Sequence, residues 1–248
     1  MTVSELYNNL EKRIPVSLRC EWDNDGIMVM PDGDKKVKRV LLTLDVTEDA
    51  VEYAINHGFD LIISHHPLIF KPIRSVSDGR LVKLIRSDMA VFSFHTRLDR
   101  VDGGVNTVLA QVLGLNSLRR FGEDDLGVIG ELDKEITESE LINRVKTVLS
   151  APSVSVVYGG GMIKTVAVVG GSGDDYIASA REVGADAYIS GELGYNDLTD
   201  ASSLGMTVIA AGHYHTENPV LSALENFVNE AECEIECERF DCNVITTL

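Results

Sequence analysis

The chain reads as α/β: two related halves with mainly parallel sheets. Three observations predict this. Short apolar runs alternate with segments carrying helix start and stop signals. A strand–helix–strand segment of the first half recurs in the second. Most histidines fall just after the apolar runs, where parallel sheets present their ligand-binding ends.

Taken in order, residues 1–13 form a helix start, with Ser4 in the N-cap position. VLLTL at 40–44 is a strand, followed by an acidic turn, a helix that stops at Gly58, and a second strand, LIIS at 61–64. Residues 166–192 repeat residues 40–66 without a gap, with identities at Val40/Val166, Asp49/Asp175, Ala54/Ala180, Gly58/Gly184, Asp60/Asp186, Ile63/Ile189 and Ser64/Ser190. Each copy is a β-α-β unit, which implies parallel strands and a right-handed crossover. The repeat continues, with one residue inserted, from MAVFSFHTRLD at 89–99 to MTVIAAGHYHTE at 206–217. Two α/β halves follow, residues 1–125 and 126–248, and the absence of a low-complexity linker predicts that they pack tightly enough to count as one domain. Near the C-terminus, ECEIECE alternates with period two and predicts a strand with Cys233, Ile235 and Cys237 on its buried face. The last residues, Asn243 to Leu248, continue as an apolar strand suited to subunit contact.

Composition narrows the function classes. Of 248 residues, 44% are hydrophobic and 25% charged, which excludes disorder as the main state. No apolar run approaches the roughly 20 residues of a membrane span, and the N-terminus lacks a signal-peptide core, so a cytoplasmic protein is expected. The net charge of -17 repels phosphate backbones and makes nucleic-acid binding an unfavoured function, a local basic patch or bound metal aside.

Chemistry concentrates at strand ends. The first half offers Ser64-His65-His66-Pro67 and His95-Thr96-Arg97-Leu98-Asp99; the second offers Gly191-Glu192 and His213-Tyr214-His215-Thr216-Glu217. Of the 6 histidines, only His57 lies outside these segments. Pro67 forces the chain out of the ladder, so both imidazoles of the His-His pair can face one cavity. A nitrogen and oxygen donor set suits zinc, iron, manganese or nickel. Five such side chains are too few to fill two ions, and open coordination positions are what a hydrolytic centre requires.

At this point the sequence resembles the dinuclear-metal-centre hexameric family of GTP cyclohydrolase 1 type 2 homologues, the NGG-one-interacting-factor-three-like proteins. The resemblance spans nearly the whole chain and rests on Glu21-Trp22-Asp23-Asn24 with Gly26, LTLDVTEDA at 42–50, SHHPLIF at 64–70, HTRLD at 95–99, GGVN at 103–106, GGSG at 170–173, SGE at 190–192 and GHYHTE at 212–217. It implies metal ligands at His65, His66, Asp99, His213 and Glu217, two divalent ions held between the halves, and a homohexamer. The chain departs from the family at Arg97, where Asn is usual, and at Leu193-Gly194-Tyr195-Asn196-Asp197, where histidines are common. It also lacks the domain that longer members insert between the halves.

Weaker features complete the reading. The GGSG turn is a tight turn or an anion cradle, and the following Asp174 and Asp175 oppose the anion. Trp22 reads as a buried ring anchoring a turn, with a substrate-stacking platform as the alternative. Lys71, Arg74 and Arg80 could meet phosphates or form a solvated loop. The function expected is a metal-dependent hydrolase of the GTP cyclohydrolase type, opening a C–N or phosphoester bond of a nucleotide, with His95 and Glu192 as proton shuttles. The alternative is a non-catalytic hexameric metal-binding or regulatory scaffold, presenting a surface to a protein or to single-stranded nucleic acid.

Overall fold

The computed structural model describes residues 1–246. The chain packs as two compact units, one of Met1–Val101 with Leu221–Val244 and one built on Asp102–Val220. This differs from a division after residue 125, because a helix and an edge strand from the C-terminal region complete the first unit.

The first unit opens with α1 (Val3–Arg13), capped by Thr2 and not by Ser4. Thr2 Oγ1 accepts from Glu5 N at 3.2 Å, and the Glu5 carboxylate accepts from Thr2 N at 2.7 Å. This reciprocal capping box satisfies two otherwise orphaned donors, and Ser4 lies one residue too late to form it. Next come β1 (Gly26–Val29), β2 (Arg39–Thr43), α2 (Glu48–Asn56), β3 (Leu61–Ser64), α3 (Gly79–Arg86), β4 (Ala90–Ser93) and α4 (Thr96–Arg100). The second unit contains α5 (Val105–Val112), β5 (Asn116–Phe121), β6 (Gly127–Thr137), α6 (Glu138–Val148), β7 (Ser155–Val157), β8 (Met162–Ser172), α7 (Ile177–Glu182), β9 (Ala187–Glu192), α8 (Tyr195–Ala201), β10 (Thr207–Ala210) and α9 (His213–Glu217). The chain then forms α10 (Val220–Ala231) and β11 (Glu236–Arg239), which joins the sheet of the first unit beside β2.

The first sheet has the order β1-β4-β3-β2-β11, parallel throughout except for β1. The second has the order β5-β6-β8-β9-β10-β7, with β8, β9 and β10 parallel to one another and antiparallel strands around them. The sequence repeat is a repeat of topology and register. Val40 pairs with Leu61 in the first sheet, and their counterparts Val166 and Ala187 pair in the second. Both helices stop at glycines in the left-handed region, Gly58 at φ 70° and Gly184 at φ 87°, where a Cβ would be strained.

The strands are apolar in continuous runs because both faces of each sheet are covered. In the second unit, Val166, Val168, Ala187, Ile189 and Ile209 join one core cluster. Their strand neighbours Ala167, Val169, Tyr188 and Val208 join another. In the first unit, Leu41, Ile62 and Val91 pack with α2 and α3 residues. On Phe92, one position along, the ring of Tyr7 sits edge-on with centroids 5.1 Å apart.

The C-terminal region differs from expectation in two places. Ile235 is buried and Cys237 half-buried, but Cys233 is exposed in the turn before β11, so the alternating strand is shorter than ECEIECE. Residues 243–246 join no sheet, and Val244 and Ile245 are exposed. The rest of that expected strand, Thr247 and Leu248, lies outside the described residues.

Candidate metal centre

In the first unit the parallel strands β2, β3 and β4 end in register, with Thr43 beside Ser64 and Ser64 beside Ser93. All three are buried. The ladder then runs one or two residues further: His65 N donates to Thr43 O at 3.2 Å, His66 N to Leu44 O at 2.9 Å and Phe94 N to Ser64 O at 2.9 Å. The Ser64 hydroxyl bonds His66 O at 2.8 Å and meets Ser93 Oγ at 2.8 Å, which ties the bend before Pro67 to the next strand. Three aligned strand ends thus deliver Asp45, His65 with His66, and His95 to one edge of the sheet.

The imidazoles of His65, His66 and His95 converge. Each offers a ring nitrogen, and these lie within 4.8 Å of one another, a grouping able to hold a metal ion. Each ring is also held by its Nδ1. His65 Nδ1 meets the Phe94 carbonyl at 2.9 Å, His66 Nδ1 meets Asp45 Oδ1 at 2.8 Å, and His95 Nδ1 meets Asp23 Oδ1 at 2.8 Å. A carbonyl or carboxylate oxygen only accepts, so each neutral ring carries its proton on Nδ1 and keeps the Nε2 lone pair for a ligand. A second oxygen that orients the ring is the usual companion of a metal-ligating histidine. Asp99, one turn into α4, places Oδ1 3.5 Å from His65 Nε2.

Asp23 is itself built into the unit. Burial would raise its pKa, but the bonds from His95 and from Thr96, whose hydroxyl lies at 2.6 Å and amide at 3.1 Å, outweigh it and hold the carboxyl down to about 2. Neither Asp23 nor Asp45 was among the expected site residues. Asp45 follows an apolar strand and could have been found by the strand-end argument; Asp23 lies far from His95 in sequence, and only the fold brings them together.

The second unit repeats the arrangement with different residues. Gly212, at φ 91°, turns the chain from β10 into α9, which carries His213 and Glu217 one turn apart. His213 Nε2 lies 3.0 Å from Glu217, and its Nδ1 lies 3.2 Å from the carboxylate of Glu192 at the end of β9. Glu217 is buried and Glu192 exposed, and Ser172 Oγ donates to Glu192 at 3.1 Å. Gly171, at φ 65°, permits the close approach, since a Cβ there would strike the Glu217 carboxylate. The GGSG turn is therefore filled on this side by a carboxylate. His215 turns its Nδ1 to the Leu149 carbonyl at 3.2 Å, and His57 stacks on Tyr53 with centroids 4.0 Å apart.

Three further features of the sequence find their places in the structure. Trp22 is 65% exposed, so its ring does not anchor a turn from within. Arg97 lies inside the packing of the first unit and away from solvent, where it bonds Asp25 at 3.0 Å, Glu11 at 2.6 Å and Ile14 O at 3.1 Å. Arg80 is held by Asp78 at 2.7 Å and Val46 O at 2.8 Å, while Lys71 and Arg74 stay exposed on the loop.

The donor chemistry of this structure fits a divalent ion, and comparison with known proteins points the same way on family. Residues 1–246 match the family described as Duf34/NIF3 (NGG1p interacting factor 3). A Clostridium perfringens protein named "GTP cyclohydrolase 1 type 2 homolog" is 36% identical over 244 residues, covering 93% of this chain and 92% of that one. The Drosophila melanogaster "NIF3-like protein 1" is 27% identical, covering 99% and 89%. Among solved structures, a Staphylococcus aureus hypothetical protein superposes with a TM-score of 0.90 at 28% identity, covering 100% and 99%. Reduced HcgD from Methanocaldococcus jannaschii does so at 0.86 and 28%, covering 97% and 98%. With a family match over almost its whole length, the chain belongs to the Duf34/NIF3 family.

Proposed function

We propose that the protein is a metal-dependent hydrolase holding two divalent ions, with His65, His66 and Asp99 of the first unit and His213 and Glu217 of the second as ligands. The observation that carries this reading is the triple imidazole cluster, in which every Nδ1 is held by an oxygen and the three rings bring a nitrogen each to within 4.8 Å of one another. Divalent ions bound by such a set supply Lewis acidity and activate water at neutral pH.

The chain's own residues do the rest. Phe94 O, Asp45 and Asp23 fix the tautomers and directions of the three rings, and Glu192 does the same for His213. His95, at the partly exposed rim of the cluster, takes and returns a proton at Nε2 while the ionised Asp23 at Nδ1 stabilises its charged form. Glu192, exposed beside His213, is the second proton carrier. The substrate follows from the names of relatives: a nucleotide, opened at a C–N or phosphoester bond, as in a GTP cyclohydrolase-type reaction. The reading includes a cytoplasmic homohexamer. The exposed apolar side chains Ile27, Met30, Ile73, Val76 and Ile85 of the first unit support association, and β1, on which Ile27 lies, is an edge strand.

The test is hydrolysis of a nucleotide panel by metal-loaded protein, with elemental analysis of the same samples. Turnover abolished by His66→Ala together with loss of metal supports the proposal. Metal uptake without turnover of any nucleotide would replace the hydrolase with a metal-binding scaffold.

A further inference from the structure

We propose that Trp22 and Phe70 form an aromatic corner that binds a planar heteroaromatic ring beside the imidazole cluster. This rests on the metal-centre reading and names the part of the substrate that the first unit recognises.

The observation is three rings set edge-on around one corner. Trp22 and Phe70 have centroids 6.1 Å apart and planes at 62°. Trp22 and His95 lie at 6.2 Å and 76°, and Phe70 and His95 at 6.2 Å and 86°. Rings so steeply inclined to one another leave broad faces uncovered, and Trp22 is 65% and Phe70 45% exposed. Isolated exposed aromatics are ordinary, but these two meet at the histidine that closes the cluster.

The corner is also rigidly founded. The Trp22 turn is closed by Asp23 N to Cys20 O at 3.1 Å and anchored by Cys20 N to Thr96 Oγ1 at 3.0 Å. Thr96 in turn bonds Asp23, the carboxylate that holds His95. The Asn24 side chain donates to the carbonyl of Ile69, which fastens the turn to the residue before Phe70. Trp22, Phe70 and His95 are therefore positioned by one connected network, which pre-organises the faces and lowers the cost of binding.

The chemistry of the occupant follows. An indole face and a phenyl face accept a flat ring by stacking, with little demand for a hydrogen-bond pattern, and stacking on such side chains is tolerant of which base is stacked. A saturated sugar or a bare phosphate gains nothing from these faces. A ring lying here sits beside His95 and the imidazole cluster.

Trp22 is the single tryptophan of the chain and reports on its own site. Metal-loaded protein is titrated with GMP, CMP, nicotinamide mononucleotide and ribose 5-phosphate while indole fluorescence is followed. The expected result is saturable quenching by at least one ring-bearing nucleotide and none by ribose 5-phosphate. By equilibrium dialysis, Trp22→Ala and Phe70→Ala should each weaken that nucleotide by about tenfold or more, and Trp22→Phe should restore most of the loss. Both variants should keep the wild-type metal content and circular dichroism. Metal uptake without quenching by any of the three rings would overturn the aromatic corner and leave the metal centre standing. Quenching by a ring in protein that takes up no metal would do the reverse. A blue shift of Trp22 that depends only on protein concentration, with no response to nucleotides, would identify the corner as a contact between copies of the chain and overturn the proposal.

Discussion

His65, His66 and His95 share one edge of one sheet, yet their surroundings separate their roles. His65 is buried, His66 is held by an exposed carboxylate, and His95 stands at the rim against Trp22. His66→Ala should remove bound metal, whereas His95→Ala should retain most of it and lose turnover; elemental analysis beside a nucleotide assay distinguishes them. Acid should release the metal, because neutral imidazoles are needed for ligation and protonation competes for Nε2. Retention of full metal content at about pH 4 would contradict histidine ligation. Arg97 makes a different kind of test. It is buried between Asp25 and Glu11, and burial with the nearby Asp23 charge already pushes the Asp25 carboxyl up despite the guanidinium. Arg97→Ala takes the buried cation from between Asp25 and Glu11, leaving Asp25 only the longer pair with Arg19 at 3.9 Å, and should cost about 3–5 kcal/mol of stability by urea unfolding.

At the scale of elements, the strand ends and caps carry the argument. The Thr2–Glu5 capping box starts α1, and Thr137–Glu140 does the same for α6. Thr2→Ala should cost about 1 kcal/mol in thermal unfolding, because one amide donor loses its oxygen. Gly171 matters more to the site. Its backbone is left-handed and its missing Cβ is the space that Glu217 occupies. Gly171→Ala should destabilise the protein by about 1–3 kcal/mol and also displace Glu217, lowering metal occupancy measured by elemental analysis. Much of this level was legible beforehand: the β2-α2-β3 segment, its stop at Gly58 and its repetition with a stop at Gly184 follow from apolar period and glycine placement. The Ser4 cap was misplaced because Thr2 and Ser4 are both competent N-caps, and only the reach of the Glu5 side chain back to Thr2 N decides between them.

For the whole molecule, a net charge of -17 opposes assembly through polar faces, so any association must use apolar ones. Light scattering at micromolar concentration should give a mass several times 27.1 kDa. A monomer mass would refute the hexamer and return the apolar face around Ile27 to solvent. No helix among the described residues is long and apolar enough to cross a membrane.

The sequence by itself determined what is local and periodic: the strands, their parallel pairing within each repeat, and the histidine- and carboxylate-bearing segments beyond their ends. Only the tertiary structure decided how those side chains are held. Asp23 reaches His95, Asp45 reaches His66, and the Phe94 carbonyl reaches His65 through loops whose geometry no spacing rule encodes. Arg97 has the residue type of a pocket cation but is drawn inward, because Asp25 and Glu11 offer buried oxygens there. Trp22 has the residue type of a core anchor but stays outside, because the hydrogen bonds of Cys20, Asp23 and Asn24 hold its turn without the ring. Burial and partner choice depend on what lies opposite in space, and that is set by packing.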